Sequence, residues 1–153
     1  MSMGFRPDIV VTSADGSGVS LVAEVKLALP NRSKTELQLK QYMAGMRCPV
    51  GVLATPDRLW IYNDTYSDKG LDSIESVGEF PYTWSRGGVD SPSRDPAMFE
   101  QEFQSWLERL SEEPERVSLP AQLRDAVETY VVPMLARGQV RAGRPRSGSA
   151  AGR

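Results

Sequence analysis

The chain has 153 residues, of which 40% are hydrophobic and 25% are charged, as in an ordinary globular protein. This length allows one domain with a core of useful size and is short for two domains. No apolar run is long enough to cross a bilayer, and residues 1–5 lack the basic and apolar blocks of a signal peptide. We therefore predict a cytoplasmic protein without a membrane partner.

The charge pattern and the rare residue types restrict the chemistry further. The net charge of -2 is unevenly distributed, since acids are concentrated in residues 63–136 whereas residues 137–153 hold arginines and no acid. This argues against a broad nucleic-acid-binding surface and permits a local one. The chain has no histidine and a single cysteine, Cys48. An internal disulfide, a structural zinc site and histidine-based nucleophiles are thus excluded, and the chemistry must use carboxylates, lysine or hydroxyls.

The first elements along the chain form a predicted β-hairpin. Residues 5–13 and 19–27 are rich in β-branched residues, and the Asp- and Gly-containing segment 14–18 between them is typical of a turn. Residue numbers paired across this turn sum to about 33. Glu24 on the second strand then lies within one residue of the position opposite Asp8, and a bulge could absorb the difference.

Three helices and further strands are predicted after the hairpin. A helix capped by Asn31 or Ser33 runs to about Met46, and strand candidates follow at Val50–Ala54, Leu59–Tyr62 and near Ser76–Tyr82. Two more helices begin at Asp95-Pro96 and after Pro120, the latter interrupted or ended by Pro133. The prediction is one α/β domain over residues 1–136, with a mixed sheet of about four strands, C-terminal helices in 95–136 and a disordered arginine-rich tail at 137–153.

Charged residues inside the apolar hairpin strands are the main functional signal. Asp8 follows Pro7 at the start of the first strand, and Glu24 and Lys26 are two residues apart on the second, so their side chains leave the same face. Burying such groups costs several kcal/mol unless each has a partner. The alternative interpretation is that Glu24 and Lys26 lie on the solvated face of an edge strand.

Phosphodiester hydrolysis without histidine gives these residues a chemical role. It requires a Lewis acid on the phosphoryl oxygen and an activated water nearby. Asp8 and Glu24 are hard ligands suited to Mg²⁺ or Mn²⁺, with the backbone carbonyl of Val25 as a further ligand. Lys26 would then orient or deprotonate the attacking water.

Aromatic residues are expected to serve mainly as packing. Trp60 and Tyr62 are predicted to pack on the sheet, and Phe99, Phe103 and Trp106 to form core. Trp84, in a predicted loop, is the better candidate for an exposed base-stacking contact.

The order Pro7-Asp8, Glu24-Val25-Lys26 and Gln38-Leu39-Lys40-Gln41-Tyr42 resembles the PD-(D/E)XK nuclease superfamily, in its RecB-like branch with a Q-x-x-x-Y helix motif. The resemblance covers residues 6–62. It implies a restriction-endonuclease-like core, a divalent metal at Asp8 and Glu24, a catalytic Lys26, and Gln38 and Tyr42 lining the site. It also implies metal-dependent cleavage of nucleic acid, namely DNA.

The chain departs from this family at its beginning. Family members usually have a helix before the strand that bears the aspartate, whereas only six residues precede Pro7 here. The start could lie upstream, a homodimer or protein partner could supply the helix, or the domain could be reduced. The alternative function is therefore a catalytically inactive binding or assembly module with the same fold.

Overall fold

A mixed sheet of six strands organises the part of the chain that the computed structural model describes, residues 6–67, 70–84 and 95–143. The strands are β1 Ile9–Ser13, β2 Val19–Val25, β3 Val50–Thr55, β4 Arg58–Asp64, β5 Ile74–Pro81 and β6 Gly138–Ala142. Their spatial order is β5-β4-β3-β2-β1-β6. β2 and β3 are parallel, because α1 connects them, and the other neighbouring pairs are antiparallel.

Helices cover both faces of this sheet. They are α1 Arg32–Met46, α2 Pro96–Glu112, α3 Ala121–Ala126 and α4 Val132–Leu135, with short 3₁₀ turns at Gly70–Ser73 and Pro114–Arg116. The predicted caps of the first two are confirmed, since the side chain of Asn31 accepts from the Lys34 N–H at 3.2 Å and that of Asp95 from the Ala97 N–H at 2.9 Å. Within the described ranges no helix has the length and apolarity that a bilayer span requires.

β2 is a central strand that is buried on both faces. Leu21, Ala23 and Val25 point towards α2 and α3, where they join the larger apolar core. Val22 points the other way, into a second core beneath α1 that includes Leu39. This explains why apolar residues occur at consecutive positions of β2, as expected for a strand covered on both sides.

The sheet has six strands, whereas about four were predicted. The sixth strand lies in a segment that was predicted to be disordered. β6 lies within the segment 137–153 and pairs antiparallel with β1 along all five residues. Val140 is its one large apolar residue and packs against the core. A strand with one such residue has little alternating pattern of its own, so its backbone pairing with β1 was not visible in the sequence. The rest of the predicted tail, residues 144–153, lies outside the described residues.

The helix after Pro120 continues past Pro133 instead of ending there. A π-helical turn at Val127–Val131 joins α3 to α4, and Pro133 lies within α4. Proline cannot donate to the carbonyl four residues earlier and its ring crowds that carbonyl, so the widened turn just before it accommodates the residue.

Trp84 is buried, and its predicted role as an exposed contact is wrong. The side chain is 5% exposed and lies edge-on to Phe99, Phe103 and Trp106, with ring centroids 5.4–5.7 Å away. Burial of these three α2 aromatics confirms that they are core. Trp84 joins them because residues 82–84, directly after β5, lie against the apolar face of α2, a tertiary placement that the Gly- and Ser-rich sequence around Trp84 does not indicate.

Candidate metal and catalytic site

The β1–β2 hairpin brings Asp8 and Glu24 opposite each other. The ladder pairs Ile9 with Ala23, and continuing this register by one residue places the two acids side by side. Counted outward from the Ser13–Gly18 pair that closes the turn, Glu24 would lie opposite Pro7, and a bulge after Val11 shifts the pairing by one residue to Asp8. The structure therefore contains a bulge of the kind that the prediction allowed for.

Asp8 is held in place through both its side chain and its backbone. It is 1% exposed, and its Oδ2 accepts a hydrogen bond of 2.8 Å from the backbone N–H of Val25. Its carbonyl oxygen accepts another, also 2.8 Å, from the N–H of Gly143 beyond β6. These bonds from β2 and from the β6 side fix the carboxylate beside Glu24.

Glu24 is a buried acid with one paired and one unpaired oxygen. Its Oε2 lies 3.0 Å from the Lys26 Nζ, and the Lys26 side chain is 38% exposed. Its Oε1 is buried and has no hydrogen-bond partner among the described residues. Because Glu24 is 4% exposed on a central strand, the alternative of a solvated edge-strand face is wrong.

The surroundings of Glu24 favour its neutral form. Burial raises the pKa of its carboxyl group to about 7, and the neighbouring Asp8 carboxylate acts in the same direction, whereas Lys26 opposes both effects. A carboxyl group with such a pKa in a site shared with a second acid and a lysine is typical of functional sites.

This raised pKa predicts a pH-dependent stability in metal-free buffer. Protons bind Glu24 more tightly in the folded chain than in the unfolded one, so its favourable contribution is complete below its ordinary pKa of 4.5 and is lost as pH rises to about 7. Glu24→Gln should remove this dependence and stabilise the protein by about 2 kcal/mol at pH 8 relative to wild type. Urea unfolding at pH 5 and pH 8 with chelator measures both effects.

The absence of histidine makes this experiment specific, since no other side chain with an ordinary pKa titrates between pH 5 and pH 8. Glu128→Gln is a matched control, because Glu128 is an exposed acid on the helical C-terminal segment. Equal wild-type stability at the two pH values would contradict the assignment.

Gln38 and Tyr42 lie on α1, the helix that covers the face from which Glu24 projects. Tyr42 packs against the second core, and burial raises the pKa of its hydroxyl. Gln38 is half-buried. The structure thus brings together the two acids and the lysine, with the α1 residues on the covering element.

Metal ligands in this arrangement would come from few side chains. Among the described residues, no group of three or more His, Cys, Asp or Glu side chains is placed to hold a metal ion. Asp8 and Glu24 supply two carboxylates, so any further ligands would be the Val25 carbonyl and water, as is common for Mg²⁺.

The structure shows a groove beside Lys26 that the sequence did not predict. It has a volume of about 520 Å³ and lies between the segment that follows β2, the start of α1 and the β3–β4 turn; its lining includes Leu27, Arg32, Arg58, Trp60 and Glu79. Its position follows from pairing across the sheet, where Glu24, Leu53, Trp60 and Glu79 stand in one row on one face. The parallel β2–β3 register that creates this row has no local sequence signal.

Comparison with known proteins gives no relative. A scan against protein-family models, a search of curated proteins and a search of solved structures each found no match to this chain. Its function is therefore argued from the residues and their geometry.

Proposed function

We propose that this protein is a metal-dependent nuclease of the PD-(D/E)XK type, with a restriction-endonuclease-like core, that hydrolyses phosphodiester bonds of DNA in the cytoplasm. The observation that carries the proposal is the buried pair Asp8 and Glu24 with Lys26 beside it. An acid pair buried in a sheet is unfavourable unless a cation or proton compensates for it.

The donor set fits a hard divalent cation. The Oε1 of Glu24 is a buried oxygen that has no hydrogen-bond donor within the described part of the chain, and a bound cation would satisfy it. Carboxylate and carbonyl oxygens are the ligands that Mg²⁺ and Mn²⁺ prefer, whereas the described site lacks the thiolates and imidazoles that favour zinc. Asp8, Glu24 and the Val25 carbonyl would hold the ion.

Each protein group then has a defined task in hydrolysis. A bound Mg²⁺ supplies Lewis acidity to the phosphoryl oxygen and favours hydroxide formation from water. Lys26, half-exposed and anchored 3.0 Å from the Glu24 Oε2, orients the attacking water or accepts its proton. The hydrogen bond from the Val25 N–H keeps Asp8 in position and lowers the cost of assembling the site.

The groove beside Lys26 provides a path for the substrate strand. Trp60 stands two strands from Glu24 in the same row, about 10 Å away at the usual strand spacing. Arg58 and Arg32 line the groove and supply guanidinium groups for phosphates, although Arg58 is 2.7 Å from Glu79 and Arg32 3.4 Å from Glu36 in the free protein. The indole N–H of Trp60 is buried and makes no hydrogen bond among the described residues.

The test is cleavage by the purified chain. Supercoiled plasmid, single-stranded DNA and RNA are incubated with Mg²⁺, with Mn²⁺ and with chelator, using wild type, Asp8→Asn and the exposed α3 control Asp125→Asn. We expect metal-dependent DNA cleavage by wild type and by the control, and a loss of at least about 100-fold in Asp8→Asn.

Folded wild type that cuts none of these substrates with either metal would overturn the nuclease assignment and favour the non-catalytic binding or assembly module. Cleavage that persists in chelator or in Asp8→Asn would exclude this site as its source. Circular dichroism of each variant shows whether the fold is kept.

A further inference from the structure

A second groove lies at the opposite end of β2 from the acid pair. It has a volume of about 360 Å³ and lies between the start of β2, the end of α1 and the segment that follows β4. Its lining residues include Val19, Arg47, Pro49, Tyr66 and Arg137. Val19 and Glu24 are five residues apart on β2, so the two sites are separated by about 17 Å. This groove is therefore distinct from the proposed nuclease site.

Two arginines of this groove form no ion pair with any acid that the structure describes. Among the described residues, the ion pairs of arginine involve Arg32, Arg58, Arg116 and Arg124, and neither Arg47 nor Arg137. Arg47 and Arg137 line the groove together with the Tyr66 ring. Burial, and after it Asp64, raises the pKa of the Tyr66 hydroxyl, and the two guanidinium groups oppose this rise. The groove thus brings two arginines without an ion pair among the described residues close to one tyrosine, while Asp64, which accepts from the Tyr66 N–H at 2.9 Å, is paired with the backbone and with Ser73.

The backbone keeps an arginine and a tyrosine where glycine would be more favourable. Arg47 and Tyr66 are the non-glycine residues with positive φ in the described ranges, at 54° and 56°. Arg47 ends α1 in the left-handed conformation, where glycine is the usual residue. The Tyr66 hydroxyl donates to the Arg47 carbonyl oxygen at 3.0 Å, so the two unfavourable residues hold each other in the groove wall.

We propose that this groove binds the phosphate group of a nucleotide. Guanidinium groups bind phosphate through paired, charge-assisted hydrogen bonds, and two of them suit the double charge of a phosphate monoester. Val19, Pro49 and the Tyr66 ring supply an apolar wall against which a base can pack. The groove volume falls within the range of small-molecule sites. The phosphate could belong to a free mononucleotide or to the 5′ end of a strand.

Calorimetric titration of the full chain tests this inference and separates the two sources. The probes are adenosine monophosphate, adenosine, and a short single-stranded oligonucleotide with and without a 5′ phosphate, all added in chelator so that the metal site does not contribute. We expect the monophosphate or the 5′-phosphorylated strand to bind, and adenosine and the unphosphorylated strand to bind at least about tenfold more weakly.

Substitutions of the two arginines test whether the phosphate binds in this groove. Arg47→Gly removes the guanidinium at a left-handed position, so binding should fall about tenfold or more while the unfolding midpoint does not fall. Arg137→Gln should weaken binding similarly. The exposed Arg116→Gln and the nuclease-site variant Glu24→Gln should bind as wild type does.

Failure of all phosphorylated probes to bind wild type would overturn the proposal, as would unchanged binding in Arg47→Gly and Arg137→Gln. Equal binding of adenosine and its monophosphate would also overturn it, because the arginines would then have no role. Loss of binding in Glu24→Gln alone would show that the phosphate binds at the nuclease site instead of in this groove.

Discussion

Replacing Lys26 with methionine is expected to lower the rate of metal-dependent DNA cleavage by about 10²–10⁴-fold, the range of positioned proton-transfer groups. Methionine keeps the length of the side chain but removes the charge that lies 3.0 Å from the Glu24 Oε2. Because Lys26 is 38% exposed, the substitution leaves no cavity, and the fold should survive. Single-turnover cleavage of a labelled duplex measures the effect on chemistry rather than on substrate binding.

Lys34→Met is the matched control for this experiment. Lys34 is an exposed lysine in the first turn of α1. The Lys34→Met protein should therefore lose little cleavage activity beyond a small effect of the changed net charge. A Lys26→Met protein that cleaves at the wild-type rate would remove lysine from the mechanism. Equal losses in both variants would mean that only the overall charge of the surface matters.

Replacing Trp84 with alanine is expected to reduce the free energy of unfolding by about 3–5 kcal/mol, as is usual for a large aromatic residue removed from a core. Its ring makes edge contacts with four other aromatic rings, including Tyr82 at a centroid distance of 4.9 Å. Edge-to-face pairs add to the simple loss of buried area. Since a domain of this size is stabilised by about 5–15 kcal/mol, the variant should be close to unfolding at 37 °C.

Urea unfolding followed by far-UV circular dichroism gives the stability difference, and near-UV dichroism reports the aromatic cluster directly. The neighbouring Thr83→Ala is the control, since Thr83 is exposed and should change stability by about 0.5 kcal/mol or less. A Trp84→Ala protein as stable as this control would show that the tryptophan does not pack on α2.

Local sequence signals were enough to predict most of the individual elements. The hairpin, α1 and α2 follow from β-branched runs, turn residues and cap residues such as Asn31 and Asp95, which act over a few positions. The same-face placement of Glu24 and Lys26 also follows, because strand alternation is strict.

Features that depend on contacts between distant segments were not predictable. The groove beside Lys26 depends on the parallel register of β2 and β3, which α1 separates along the chain. Burial of Trp84 depends on its packing against the aromatic residues of α2. Each of these is set by the tertiary packing rather than by neighbouring residues.

β6 also protects the sheet against association with other chains. Without it, the apolar strand β1, with sequence Ile9-Val10-Val11, would present a row of unpaired backbone groups at the sheet edge, which is a common start of aggregation. β6 pairs with this row and replaces it by a strand whose Gln139 and Arg141 are exposed. A chain truncated before Gly138 would therefore lose solubility as well as the Gly143 bond that holds Asp8.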